Sequence, residues 1–498
     1  MLSCALASAV MSGCNSGGSN EKNDGNAASG SSTSSPNGSQ DASGDSKPSA
    51  ASSNNDQVIF DVNGTKVYSS GVTLFAIKDD NTFEFCLLEE DPEKNVSENE
   101  HKTHNTGFGS EQVVVDGSDV YGLCFDDFQI YHWDLTDLNA VKKRLLYSED
   151  VMEAAAKTKL ESLGLSDNSE ELSKVNAADI GVFDKVIDGG DGYCYMSLGS
   201  NIETAKKLAA FNFSVCRFAK DGSKIEFVDD IRACSMTASD GWLYYFDSGY
   251  TGKYTSDGKS DVSVDSSKSG IYKCRTDGSE KKQLVSGIKL IEGSYDGDIS
   301  KTHNTITHMS VINNSLYYIN NSEDGKGCLY KVGLDGGTPE KVTEKSCANY
   351  YIDTQTKTLY YFEGKSYELE TFYTFISKDL ESSTERQLFR KGSISRYKAS
   401  MSVLGDYVYF ADPNEYLGWN AIDVDKSSEP YYHNYRSSGQ RWKLSSNELE
   451  KLECTVEVKF VEDPVTGVRN FSHILSAPEI KWVKQDSLSE NDGLMLYK

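Results

Sequence analysis

The sequence predicts an all-β fold built from repeated four-stranded antiparallel sheets. Three observations predict it. First, the phrase "IYKCRTDGSEKKQLV" at residues 271–285 returns as "LYKVGLDGGTPEKVT" at residues 329–343, 58 positions later. Each phrase reads as a strand, an Asp-Gly turn and a second strand, because glycine takes positive φ at no steric cost. Second, a different phrase, a polar turn leading into a Tyr-rich strand, precedes each copy: "DGWLYYF" at 240–246 and "NNSLYYI" at 313–319. Third, the chain is rich in Tyr (29) and poor in Pro (8), which suits half-buried strands.

Looser copies extend the pattern. The strand–turn–strand grammar recurs at 74–88, 130–147, 216–228, 372–389 and 441–453. The Tyr-rich strand recurs around Tyr68, Tyr121, Tyr195, Tyr245, Tyr318, Tyr361 and Tyr409, at spacings of 53, 74, 50, 73, 43 and 48 residues. Such periods are those of four-stranded propeller blades. The two long intervals read as one blade plus an insertion of about 25–30 residues, since a further whole blade needs more. The expected fold is therefore a β-propeller of about seven blades, with six to eight compatible because the first and last copies are degraded. It carries a disordered N-terminal tail and a short helical insertion. Each unit has apolar faces that only its neighbours can cover, and ring closure leaves no flank bare.

The best copies, at residues 240–343, resemble the repeat of a bacterial surface-protein family of unknown function. That family is similar to the YWTD propellers of low-density-lipoprotein-receptor-like proteins. The resemblance runs from about residue 58 to 453. It implies a propeller fold and carries no catalytic residue onto this chain.

Within a blade running a-b-c-d as a meander, the a–b and c–d turns share one end and the b–c and d–a connections the other. The long insertions, at 148–180, 248–270, 292–310 and 411–440, all fall on the b–c and d–a end. The segment "DVMEAAAKTKLESLGL" at 150–165 is rich in helix formers and predicts a helix. Loops on a rigid scaffold commonly carry binding; they are also where insertions are best tolerated. The last insertion gathers Tyr416, Trp419, Tyr431, Tyr432, Tyr435 and Arg436. Aromatics among polar neighbours suit sugar rings or protein contacts, or pack the loop onto the propeller.

Three regions divide the chain: a signal-like segment at 1–14, a linker at 15–56 and the propeller domain at 57–498. Residues 11–14, "MSGC", resemble a bacterial lipobox, which implies a lipid on Cys14 and attachment to a bacterial cell membrane from the extracytoplasmic side. A Lys or Arg before the apolar run is lacking. Residues 15–56 contain no Val, Ile, Leu, Met, Phe, Tyr or Trp, so they cannot bury enough apolar surface to offset ordering entropy. A flexible coil of that length spans ~35 Å, a suitable tether.

The chain carries 50 Lys+Arg against 76 Asp+Glu, net −26, which repels phosphate backbones and excludes nucleic-acid binding as an expectation. Of the 11 Cys, nine remain after Cys4 and Cys14, so at least one is unpaired within the chain. Several lie in strands as small buried hydrophobes, and one isolated pair, such as Cys194 with Cys216, is compatible with the spacing.

A search for chemistry returns little. There is no G-x-S-x-G elbow, P-loop or H-E-x-x-H. The pairs His101/His104 and His303/His308 lack a carboxylate at ligand spacing and read as solvated loop histidines. "DGGDG" at 188–192 and "DGKSDVSVD" at 257–265 lack EF-hand spacing and read as turns. No metal and no cofactor are expected. The expected function is a non-catalytic, monomeric, cell-surface binding or scaffold module, engaging a protein, peptide or glycan through the long-loop face. The alternative is a glycan-directed hydrolase or lyase in the central channel, whose mark would be His, Arg and carboxylate residues clustered at the mouths of the inner strands. A mainly structural envelope role is a third reading.

Overall fold

Apolar strand positions joined by short polar turns dictate the local architecture. In the computed structural model, Asp240 and Gly241 take φ of 51° and 75°, and Asn313 and Asn314 take 48° and 59°. These are the left-handed dihedrals of tight hairpin turns, which Asp, Asn and Gly tolerate best. The structure describes residues 59–62, 64–69, 74–77, 83–85, 113–124, 129–137, 142–166, 170–176, 179–183, 185–200, 208–291, 304–322, 327–364, 372–392, 400–411, 423–424, 431–462, 469–474, 479–484 and 495–496. All lie in one unit, Ala50–Lys498. The expected signal segment, Cys14 and linker lie outside the described residues.

Among the described residues, seven antiparallel sheets of four or more strands follow one another along the chain, each with a four-strand meander at its centre, and an eighth, two-stranded sheet lies within the fourth. Sheet I comprises Ile59–Val62, Thr65–Ser69, Leu74–Ile77 and Phe83–Phe85. Sheet II comprises Val113–Asp116, Asp119–Cys124, Gln129–Asp134 and Lys142–Tyr147. Sheet III comprises Ile187–Asp188, Tyr193–Ser200, Ser214–Ala219 and Ile225–Arg232, with Ile180–Val182 joined to the far end of its second strand. Sheet IV comprises Ser235–Ser239, Trp242–Asp247, Gly270–Arg275 and Lys282–Ser286. Sheet V comprises Ile306–Ile312, Ser315–Asn320, Cys328–Gly333 and Glu340–Lys341. Sheet VI comprises Asn349–Asp353, Thr358–Glu363, Phe372–Asp379 and Glu385–Gly392, and gains Met495–Leu496 at its outer edge. Sheet VII comprises Ser400–Leu404, Tyr407–Ala411, Tyr431–Lys443 and Glu448–Glu462. Three further strands, Asp423–Val424, Arg469–Ile474 and Glu479–Lys484, pair with its last two strands.

The side-chain period of two explains why these strands are apolar on both faces. In Trp242–Asp247, Leu243 and Tyr245 enter a core shared with Ile187, Tyr195 and Val215 of sheet III. The intervening Tyr244 and Phe246 enter a core shared with Leu316 and Tyr318 of sheet V. Sheet V repeats the rule, sending Tyr317 and Ile319 towards Tyr350 and Tyr361 of sheet VI. Sheet VI sends Tyr360 and Phe362 towards Met401, Val408 and Trp442 of sheet VII. Each core is thus owned by two successive sheets, and each fully buried aromatic contributes about 1.5–3 kcal/mol. The repeat tyrosines Tyr195, Tyr245, Tyr318 and Tyr361 are at most 1% exposed.

First strands lie beside first strands. Val113–Asp116 neighbours Ile187–Asp188, and the series continues through Ser235–Ser239, Ile306–Ile312, Asn349–Asp353 and Ser400–Leu404. Ser400–Leu404 in turn neighbours Ile59–Val62 of sheet I. Polar straps join the sheets at the short-turn end. Lys220 bridges Asp116 of sheet II and Asp188 of sheet III at 2.7 and 2.9 Å. Arg217 Nη1 donates to Thr276 O of sheet IV at 3.2 Å. Lys273 Nζ pairs with Asp335 of sheet V at 3.0 Å, and Lys378 Nζ of sheet VI donates to Val342 O at 2.7 Å. The "DGGDG" segment is such a turn. Asp188 Oδ1 accepts from Gly190 N at 2.9 Å, and its other oxygen meets Lys220.

Three expectations change. Cys194 and Cys216 are both thiols. The register sets Cys194 opposite Phe218 and Cys216 opposite Met196, so the two are diagonal, at a Cβ separation of about 7 Å that a disulfide does not span. His308 is not a solvated loop residue: it lies within Ile306–Ile312 and is 7% exposed. Residues 431–440, expected as loop, are strand, because the third strand of sheet VII begins at Tyr431 and absorbs Ser437–Gly439 in a register shift between Arg436 and Gln440.

Candidate functional site

Three insertions interlock on the end opposite the tight turns. The first, between sheets II and III, forms helix α1, Glu149–Ser162. Acidic Glu149 and Asp150 occupy its first turn and Lys159 its last, which matches the helix dipole. Met152, Ala156 and Leu160 recur every four residues and form its buried stripe. That stripe joins a core containing Phe211, Phe218 and Tyr254, with Phe227 packed against it. The second insertion lies between the second and third strands of sheet III and holds a fully buried 3-10 turn, Ala209–Phe211. Sequence reading missed it, because no turn dipeptide or periodicity marks residues 201–213. The third insertion, in sheet IV, is a hairpin of Tyr250–Tyr254 and Ser260–Val264. Its "DGKS" turn carries an Asp257–Lys259 ion pair at 2.7 Å.

Backbone contacts weld the three. Tyr254 N donates to Leu163 O at 2.9 Å, just past the end of α1. Tyr250 OH donates to Ala209 O at 2.7 Å. Gly252 lies so close to the 3-10 turn that a Cβ there would stand 2.5 Å from Ala210 Cα. Arg232 fastens the junction. Its Nη1 donates to Asn212 O at 2.5 Å and its Nη2 to Ala210 O and Gly252 O at 2.9 and 3.2 Å. Burial pulls the Arg232 guanidinium below its ordinary pKa. Burial also raises the Asp247 carboxyl, against the opposing effects of Gly249 N, Lys281 and Arg232.

The first strands form the second candidate region. Ser235, Thr237, Thr307, His308, Ser310 and Asn349 are buried polar residues there. His308 takes a φ of 52° in an irregularity between Thr307 and Ser310. Its carbonyl accepts from Tyr350 OH at 2.8 Å, and Ser310 Oγ lies 2.6 Å from that hydroxyl. The tyrosine thereby holds the bulge. Among the described residues, the buried polar set on these strands offers hydroxyls, an amide and one imidazole, without a buried carboxylate or arginine. Among the described residues, no group of three or more His, Cys, Asp or Glu could hold a metal ion.

The aromatic insertion divides. Tyr416 and Trp419 lie outside the described residues. Tyr431, Tyr432, Tyr435 and Arg436 lie on the third strand of sheet VII, opposite Val458, Glu457, Cys454 and Glu453. This strand pair continues the one that carries Trp442 and Leu449 into the core shared with sheet VI.

No family model matches the chain, and no curated protein does. Solved structures give distant likenesses. One is a nidogen/laminin complex: 10% identity, 64% of this chain and 88% of that one, TM-score 0.33. Another is a puromycin hydrolase S511A mutant complexed with PGG: 11% identity, 83% of this chain and 57% of that one, TM-score 0.41. A third is a putative TolB from Agrobacterium tumefaciens: 10% identity, 57% of this chain and 82% of that one, TM-score 0.29. This chain thus spans little more than half of the hydrolase. Likenesses this distant carry no argument about activity. No described helix is long and apolar enough to cross a membrane.

Proposed function

We propose that this protein is a non-catalytic binding or scaffold module, a closed seven-bladed propeller held at a bacterial cell membrane by a lipid on Cys14. It engages a protein, peptide or glycan through the face that carries the insertions. One observation carries this reading: α1, the 3-10 turn and the sheet IV hairpin form one interlocked layer on a single end, while sheets III to VI keep turns of two to six residues at the other. A rigid scaffold with elaboration confined to one face is the usual arrangement of a recognition surface. Ring closure is supported by the contact of Ile59–Val62 with Ser400–Leu404 and of Phe83–Phe85 with Glu479–Lys484. On this reading the ligand contact includes Tyr431, Tyr432, Tyr435 and Arg436, at the start of the third strand of sheet VII, together with Tyr416 and Trp419, which precede that strand in sequence.

The test is a melting experiment on the full chain with fractionated cell-wall glycans and solubilised surface proteins. A ligand that binds only the folded state raises the melting temperature. The expected result is a rise that a Trp419→Ala/Tyr431→Ala double variant loses. No rise with any fraction counts against a binding role. A rise that the double variant keeps, with consumption of the glycan, moves the site to the first strands and favours a hydrolase or lyase. Cys14→Ser is expected to release the chain from the membrane fraction.

A further inference from the structure

We infer that Cys328 and Cys347 are a disulfide-forming pair that staples sheet V to the start of sheet VI when the chain folds in an oxidising compartment. The two are 19 residues apart and both stand as thiols, 5% and 0% exposed. Cys328 opens the third strand of sheet V, and Cys347 lies two residues before the first strand of sheet VI. A backbone hydrogen bond brings them together: Cys347 N donates to Gly327 O at 2.6 Å. Standard peptide dimensions place Cα of residue 328 about 2.8 Å from that oxygen, so the two Cα atoms are at most about 7 Å apart, and roughly 4–6 Å once the bond bends. A disulfide spans about 4.4–6.8 Å between Cα atoms.

Two further observations support the pairing. Burial pushes the Cys347 thiol well above its ordinary pKa, and the Cys328 sulfur nearby adds to it. Gly327 is held by a space that admits no side chain, since a Cβ there would lie 2.1 Å from Asn321 Oδ1 and 2.9 Å from Ile319 Cγ2. That close approach delivers Gly327 O to Cys347 N. None of the other described thiols is joined to a second cysteine by such a bridge, and Cys194 and Cys216 are diagonal on their sheet.

The chemistry is thiol–disulfide exchange. One thiolate attacks a disulfide oxidant, a glutathione-like molecule or an oxidoreductase, and expels a thiol. The second thiolate then attacks the mixed disulfide and expels the other. Two cysteine thiols are oxidised to one S–S bond, and one disulfide is reduced to two thiols. Because both sulfurs are buried and burial holds the Cys347 thiol against ionisation, the exchange belongs to folding, before the site closes. The pair is independent of any ligand at the insertion face.

The test is to denature and reduce the full chain, refold it in a buffer of reduced and oxidised glutathione, alkylate, and digest with trypsin without reduction. Cleavage after Lys331, Lys341 and Lys345 separates the two cysteines, so a bond between them appears as one linked peptide. The expected result is that linked peptide in the wild type and its loss in Cys347→Ala and Cys328→Ala. Dithiothreitol should lower the wild-type melting temperature by about 3–6 °C and leave the double variant unmoved. Separate alkylation of both residues in chain that has regained its native melting transition would overturn the pairing. So would a link from either residue to a different cysteine. The wild-type peptide map decides the matter even where an alanine variant does not fold.

Discussion

The repeat tyrosines occupy one position of the repeat but do different work, and a pair of single-atom deletions separates them. Tyr195 and Tyr245 sit on the second strands of sheets III and IV, both essentially unexposed. The Tyr195 hydroxyl lies 2.8 Å from Asp191 Oδ2 and 3.1 Å from Thr276 O, and receives Arg217 Nη1 at 3.5 Å. Tyr195→Phe therefore removes a hydrogen bond to a charged partner and weakens a strap between sheets III and IV. Such a bond contributes about 1.5–3 kcal/mol. The Tyr245 hydroxyl is buried with no hydrogen-bond partner among the described residues. Its ring stacks on Tyr272 at 5.8 Å and receives Lys281 over its face, contacts that phenylalanine keeps. Leaving a buried hydroxyl unsatisfied costs about 1–3 kcal/mol, so Tyr245→Phe should be neutral or stabilising by up to that amount. The assay is the urea midpoint of each variant at unchanged m-value. The midpoint should fall for Tyr195→Phe and hold or rise for Tyr245→Phe. An equal loss in both would refute the claim that partner supply, rather than repeat position, sets what each hydroxyl contributes.

Two further outcomes follow from the same packing. Burial raises the phenol pKa of Tyr195, Tyr245 and Tyr361, and pushes Tyr244 up to about 12. The folded state then holds these protons more tightly than the unfolded chain, whose tyrosines ionise near 10. Their contribution is whole below about pH 10 and is lost above it, at about 1.4 kcal/mol per tyrosine per pH unit. The urea midpoint should drop steeply between about pH 10 and 11, with the last part of the tyrosinate absorbance rising only on unfolding; the full absorbance of all 29 tyrosines in chain that stays folded would refute this. Gly252→Ala would put a methyl 2.5 and 2.8 Å from backbone atoms of Ala210, which costs about 1–3 kcal/mol. Faster amide exchange should be confined to the hairpin and the 3-10 turn, with the sheet cores unchanged; unchanged exchange in the hairpin would show that the two do not lean on one another.

The sequence alone determined the repeating unit. Period-two apolarity in "LYYF" and "LYYI" makes a strand buried on both faces, and Asp-Gly or Asn-Asn supplies the positive φ that a tight hairpin needs. Both signals are local, so they survive in a single line of text. The helix at 149–162 was legible for the same reason, with a four-residue stripe and charges matched to its ends. Tertiary structure alone decided which distant segments meet. Nothing local marks Ala209–Phe211 as the seat of a hairpin forty residues later, or Arg232 as the clamp between them. Strand 431–443 escaped notice because its pairing is written in the partner strand, and Ser437–Gly439 carries a loop's composition through a bulge. Cysteine partnership is the sharpest case. Cys194 and Cys216 are close in sequence logic yet diagonal in register, while Cys347 is brought beside Cys328 by one backbone hydrogen bond to the preceding residue, Gly327. Side-chain identity selects the local conformation, but register and the stacking of one sheet on the next determine which atoms come within bonding distance.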